Sequence, residues 1–144
     1  MSGQSAILAN LLGLRTRAPE TTLALAASVE KGLPVSALDR FAGRVSPLDV
    51  RGFAHRVVPK PTLERRRKHK QHLTTDESDR LARVAKVFAF GLEVFRDEAR
   101  VRDFLNRPHP MLEDKVPLEL ALATGPGADV VINLLGRTAY GGGV

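Results

Sequence analysis

Four histidines, His55, His69, His72 and His109, are the residues best suited to metal or acid–base chemistry in this 144-residue chain, and their spacing supports neither. Two lie in a basic run, one precedes it and one sits between prolines, and none has a second ligand type at metal-site spacing. The chain has no Cys, which removes thiolate ligands and disulfides and points to a reducing, intracellular compartment. No glycine-rich loop precedes a Lys-Ser or Lys-Thr pair, and the terminal "YGGGV" opens no helix that could cradle a phosphate. Asp97, Glu98 and Asp103 read as helix-start and surface charges rather than as an acid/base pair. With no converging catalytic set, the expectation is a protein that is not an enzyme and uses no metal or cofactor.

The chemistry that remains is electrostatic. Residues 1–89 hold 16 Lys and Arg against 8 Asp and Glu, a surplus of 8, while residues 90–144 hold 6 against 8, a deficit of 2; together they give the net +6. A basic half favours a polyanion because neutralising phosphates releases counterions, and a mildly acidic half has no such reason to approach one. Two partners are therefore expected. The surplus is densest in "PKPTLERRRKHKQH", residues 59–72. A run of this kind also serves as a solvated helix face or a linker. The residues before it raise the DNA reading: "SPLD" at 46–49 offers Ser46 as an N-cap, Pro47 in the first turn and Asp49 in a capping-box position. The helix so started would bury Leu48, Phe53 and Ala54, and "VVPK" would break it at Pro59. Pro61 then begins a second helix, "PTLERRRKHKQH", anchored by Leu63. In a helix-turn-helix of this form, Lys60, Thr62, Arg65 and Arg66 lie near the groove-facing end, and Arg67, Lys68 and Lys70 reach backbone phosphates.

The elements that must position these residues are helical nearly everywhere, because apolar residues recur at three and four and no stretch alternates long enough for a sheet. The fold expected is all-α, with an N-terminal helix-turn-helix domain joined by a long helix to a small helical C-terminal domain. Residues 1–20 form a flexible or weakly helical segment around Ile7, Leu8, Leu11 and Leu12, and residues 21–73 the helix-turn-helix domain. Residues 74–95 form the connecting helix, with Thr74 and Glu77 as a capping box and Leu81, Val84, Phe88, Leu92 and Phe95 as its stripe. Val87 and Phe90 fall off that stripe, so this helix has two buried faces, as in a domain connector, a dimer helix or a central core helix. Residues 96–144 hold a helix with Val101, Phe104 and Leu105 inward, then "PLELALA", a break at Thr124–Gly127, and "ADVVINLLGR" ending at Gly136, followed by a glycine-rich tail expected to order on a partner. The apolar stretch "SAILANLLGL" is too short to span a bilayer and lacks signal-peptide flanks, so a soluble cytoplasmic protein without membrane contact is expected.

The stretch from Phe90 to Gly141 closely resembles the toxin-binding domain of the Xre/MbcA/ParS antitoxins. The shared frame is "EVF" with an acidic pair, "FLN", a Pro-x-Pro turn, "PLEL", a Thr-Gly break, and "LLGR" with "YG" near the end. "GLPVSALDRFA" and "LERRRK" resemble the Xre-like N-terminal part of the same family. Family members commonly carry Trp where Phe104 stands and glycines where Glu113, Asp114 and Lys115 stand. The resemblance implies a type II antitoxin that neutralises a RES-domain toxin acting on NAD, blocks its NAD cleft with the C-terminal segment, and represses its own operon by binding operator DNA as a homodimer. It assigns toxin binding to Asn133, Arg137, Tyr140 and Gly141. The rival reading is a free-standing helix-turn-helix regulator whose C-terminal domain only dimerises. An RNA-binding module is disfavoured by 5% aromatic content, since stacking platforms need aromatics.

Overall fold

The computed structural model describes residues 3–14 and 22–139, and there the regular structure is helical, as expected of an all-α fold. In chain order the helices are α1 (Gly3–Leu12), α2 (Thr22–Lys31), α3 (Val35–Val45), α4 (Val50–Val57), α5 (Lys60–Lys68), α6 (Thr75–Phe95), α7 (Glu98–Asn106), α8 (Pro117–Ala123) and α9 (Gly125–Ala139). A single 3-10 turn at Pro110–Leu112 follows α7.

The axis of the molecule is α6. Its start is fixed by the predicted capping box: Glu77 N–H donates to the Thr74 hydroxyl at 3.2 Å, and Thr74 N–H donates to the Glu77 carboxylate at 2.9 Å. Helices α1 and α2 pack on α6 from the N-terminal half, and α7, α8 and α9 from the C-terminal half, so apolar residues around the helix are buried. Leu81, Val84, Val87 and Phe88 are all fully buried, and Phe90 packs partly against the same core. The second buried face of α6 is thus satisfied within one chain, which identifies it as a central core helix and leaves the dimer expectation without support from these residues.

One continuous apolar cluster runs from Leu8 to Leu135. At its N-terminal end Phe41 meets Phe53 and Phe88 edge-to-face at centroid distances of 5.7 and 5.6 Å, geometry worth about 0.5–1.5 kcal/mol per pair beyond burial. Helix α1 is part of this cluster through Leu8, Leu11 and Leu12, and it packs on α3 and α6. Four spaced apolar residues make a weak local signal, but their burial is set by α3 and α6, which the local sequence does not reveal.

Three boundaries differ from the sequence expectation. Helix α3 runs through Val45, so Ser46 becomes its C-cap, its N–H donating to the Ala42 carbonyl, and the turn to Asp49 is spent before the next helix starts. Asp49, not Ser46, then caps α4 by accepting from Gly52 N–H at 3.1 Å, and Leu48 is fully exposed instead of buried. Helix α5 stops at Lys68, because Lys70 takes a left-handed conformation (φ 53°) and the chain turns back toward the α2–α3 turn. There Leu73 N–H donates to the Leu33 carbonyl at 2.9 Å, and Leu33 N–H donates to the buried Ser78 hydroxyl at 2.8 Å. Gly32 sits under this strap with φ 100°, where a Cβ would collide with the Leu73 carbonyl. Helix α9 continues through Gly136, whose would-be Cβ points into open space, so a glycine there need not end a helix.

Arginines bind the N-terminal helices to the C-terminal ones. Arg44 of α3 makes a two-pronged pair with Glu98 of α7 at 2.9 and 2.7 Å, and Arg102 joins the same carboxylate at 2.9 Å. One turn on, Asn106 donates to the Val45 carbonyl at 3.2 Å. From α6, Arg80 donates to the Val57 carbonyl at the end of α4, and Arg83 donates to the Ala121 and Leu122 carbonyls, both at 2.9 Å, at the end of α8. Carbonyls at helix C-termini lack intrahelical partners, and a cation there complements the dipole.

Candidate nucleic-acid interface and C-terminal surface

Helices α4 and α5 are joined by Val58 and Pro59 alone, the tight turn the proline break predicted. Val58 is extended, as a residue before proline must be, and Pro59 is the N-cap of α5 with Pro61 in the first turn. Phe53, Ala54 and Val57 bury the inner face of α4, and Leu63 anchors α5. A helix this polar owes its place to that anchor and to whatever holds its arginines.

Two carboxylates hold them. Arg66 makes parallel hydrogen bonds to Glu77 at 3.0 and 3.0 Å, with side chains 14% and 12% exposed. Arg67 does the same with Asp39 of α3 at 2.8 and 2.7 Å, in a more exposed pair. At 3.6 residues per turn, positions three and four beyond Leu63 share its side of the helix, which is why Arg66 and Arg67 turn inward. Burial by itself would raise the Glu77 pKa, but Arg66 and the Thr74 cap together hold it below the ordinary carboxylate value, so the pair stays charged.

The opposite side of α5 presents Pro61, Arg65 and Lys68, all exposed, with the half-buried Thr62 on its flank. Lys60 is exposed beside Arg51 and His55 of α4 around the crook between the two helices, and Lys70 is exposed in the turn that ends α5. Among the described residues, no ion pair engages Lys60, Arg65, Lys68 or Lys70. Of the seven residues singled out on this helix and its end, five therefore face outward or flank the outer face, and two grip the scaffold. The roles of Asp39 and Glu77 as the anchors of α5 were not apparent in the sequence; a helical projection centred on Leu63 would have turned Arg66 and Arg67 inward, though it could not have named their partners.

On the C-terminal side, Thr124 accepts from Gly127 N–H at 2.9 Å where α9 begins, and Val131, Leu134 and Leu135 bury its inner face. Asn133 and Arg137 are four residues apart and both exposed, so they share one face of α9. Tyr140 and Gly141 lie outside the described residues. His109, expected in a loop, caps the 3-10 turn by accepting from Met111 N–H through Nδ1, and its backbone bridges to Lys115. Among the described residues no three His, Asp or Glu side chains converge as they would around a metal ion. Nor is any described helix long and apolar enough to cross a membrane.

Comparison with known proteins divides the chain along the same line. Residues 24–86 match the antitoxin Xre-like helix-turn-helix domain, and residues 91–141 match the antitoxin Xre/MbcA/ParS C-terminal toxin-binding domain. Among curated proteins, "Antitoxin Xre" of Photorhabdus laumondii is 32% identical over 123 residues, covering 81% of this chain and 79% of that protein. "Antitoxin Xre" of Pseudomonas putida is 33% identical over 88 residues, covering 61% of this chain and 55% of that protein's length.

Proposed function

The chain belongs to the Xre antitoxin family, and from that premise we propose that it is the antitoxin of a type II toxin–antitoxin pair, binding operator DNA with α4 and α5 and a toxin with its C-terminal helices. The observation that carries this reading is the succession of a helix-turn-helix match and a toxin-binding match on one chain. The outward cations of α5 supply the DNA side. Arg65 and Lys68 stand where a recognition helix meets the groove, Thr62 and Lys60 lie near its N-terminus, and Lys70 lies at the end that reaches phosphates.

For the toxin we propose a RES-domain protein that consumes NAD or transfers ADP-ribose, blocked at its NAD cleft by the segment from Asn133 to Gly141. Arg137 can pair with a carboxylate, Tyr140 offers a rigid aromatic contact, and Gly141 admits close backbone approach. Co-expression with the toxin encoded beside it, scored by growth and cellular NAD, tests both levels of this reading. Full-length chain should restore growth and NAD, and a chain ending at Gly136 should not. Rescue by both forms removes the blocking segment from the account, and rescue by neither leaves a free-standing DNA-binding regulator.

A further inference from the structure

The acidic C-terminal half contains one place where the local charge is reversed. Between the end of α6 and the turn after α7 lies a cleft of about 540 Å³ whose walls include Phe95, Arg100, Asp103, Phe104, Arg107 and His109. Phe95 and Phe104 meet at 5.8 Å, Phe104 and His109 meet edge-on at 5.8 Å, and the Arg100 guanidinium lies 4.8 Å from the Phe95 ring centre. Arg100 is exposed and, among the described residues, pairs with no carboxylate. Arg107 pairs only with Asp103, at 2.9 Å, in a bridge that is mostly solvated. His109 accepts from Met111 N–H through Nδ1, so in its neutral form the ring keeps its proton on Nε2 as a donor.

We propose that this cleft is a second contact surface for the toxin, taking an acidic segment that sets a carboxylate between Arg100 and Arg107 and an apolar side chain against Phe95 and Phe104. The proposal rests on the toxin reading above. Two considerations select this occupant. Two guanidiniums face a single carboxylate, and planar forked donors are best matched by a carboxylate. The lining residues, 95 to 109, also fall wholly inside the matched toxin-binding segment 91–141, while lying on α6 and α7 rather than on α9. Aromatic rings beside arginine, with the exposed Met111 close in sequence, give the composition that concentrates affinity at protein interfaces.

The test is titration calorimetry of the full chain with the toxin at two salt concentrations, comparing wild type, the double variant Arg100→Glu/Arg107→Glu, and Arg100→Lys/Arg107→Lys. Charge reversal should weaken binding about 10- to 100-fold, most strongly at low salt, and the lysine variant should fall between. Thermal melts of all three should coincide, because both arginines are exposed. Toxin affinity within twofold of wild type for the reversed variant overturns the proposal. So does a loss confined to operator retention or to self-association, which would give the cleft to DNA or to a second copy. If wild type itself fails to bind the toxin, the toxin reading falls and the cleft proposal falls with it.

Discussion

Arg65 and Arg66 are adjacent in a run that composition treats as uniform, yet one points to solvent and the other into a two-pronged pair with Glu77. The run itself, its basic character and the Leu63 anchor were legible in the sequence. The division of labour was not, because Asp39 lies 28 residues from Arg67 and Glu77 lies 11 from Arg66, and no local pattern links them. The difference is measurable. An arginine that touches phosphate contributes about one unit to the salt slope of DNA binding, whereas one that only aims the helix contributes none. Arg65→Ala should weaken operator binding and flatten the slope. Arg66→Ala should weaken it with the slope preserved, and the exchange Arg66→Glu/Glu77→Arg should recover part of the loss. A slope that falls equally in both variants would place Arg66 on the DNA.

Among the elements, those with a strong local start signal were legible: the Thr74–Glu77 box opens α6, and Pro117 opens α8 where expected. "SPLD" failed because a capping pattern shows that a helix can start but not which residue the preceding helix leaves free, and α3 used Ser46. The half-buried α7 shows a similar limit. Glu98 read as a surface charge, but its spacing to Arg102 and Asn106 makes a stripe along one side of α7 that grips the end of α3. Hydrogen bonds from Arg44 lower the Glu98 pKa against the opposing effect of burial, with help from the charges of Arg44 and Arg102. A carboxyl held below its unfolded value stabilises the fold above that value and loses the contribution as pH falls through the folded one. The advantage of wild type over Glu98→Gln, by chemical denaturation, should therefore be full at neutral pH and shrink below about pH 4.5. At neutral pH it should amount to about 1.5–3 kcal/mol, the range for hydrogen bonds to charged groups. A gap that does not change with pH would remove Glu98 from the account of acid stability.

The molecule as a whole has a single apolar core, and α6 lies within both of its ends. Charge and motif order divide the sequence near residue 90, and the two family matches do the same, but packing does not stop there. Ending the chain at Phe90 would remove α7, α8 and α9 and uncover Val84, Val87 and their neighbours on α6. Each buried aliphatic side chain contributes about 1.5–3 kcal/mol, and whole domains are stable by only about 5–15 kcal/mol. The fragment 1–90 should therefore melt without a cooperative transition, as followed by circular dichroism. A sharp transition near that of the full chain would show that the N-terminal helices stand alone.

The arginines that cross from one half to the other also bear on how such a protein can change over generations. Arg44 must find Glu98, and Arg83 must find the final carbonyls of α8, whatever sequence surrounds them. Recombination that joins the first half of one relative to the second half of another would keep each motif intact and still part these couples. The choice of operator and the choice of toxin are thus inherited together, and a lineage can exchange one without the other only by carrying the joints along.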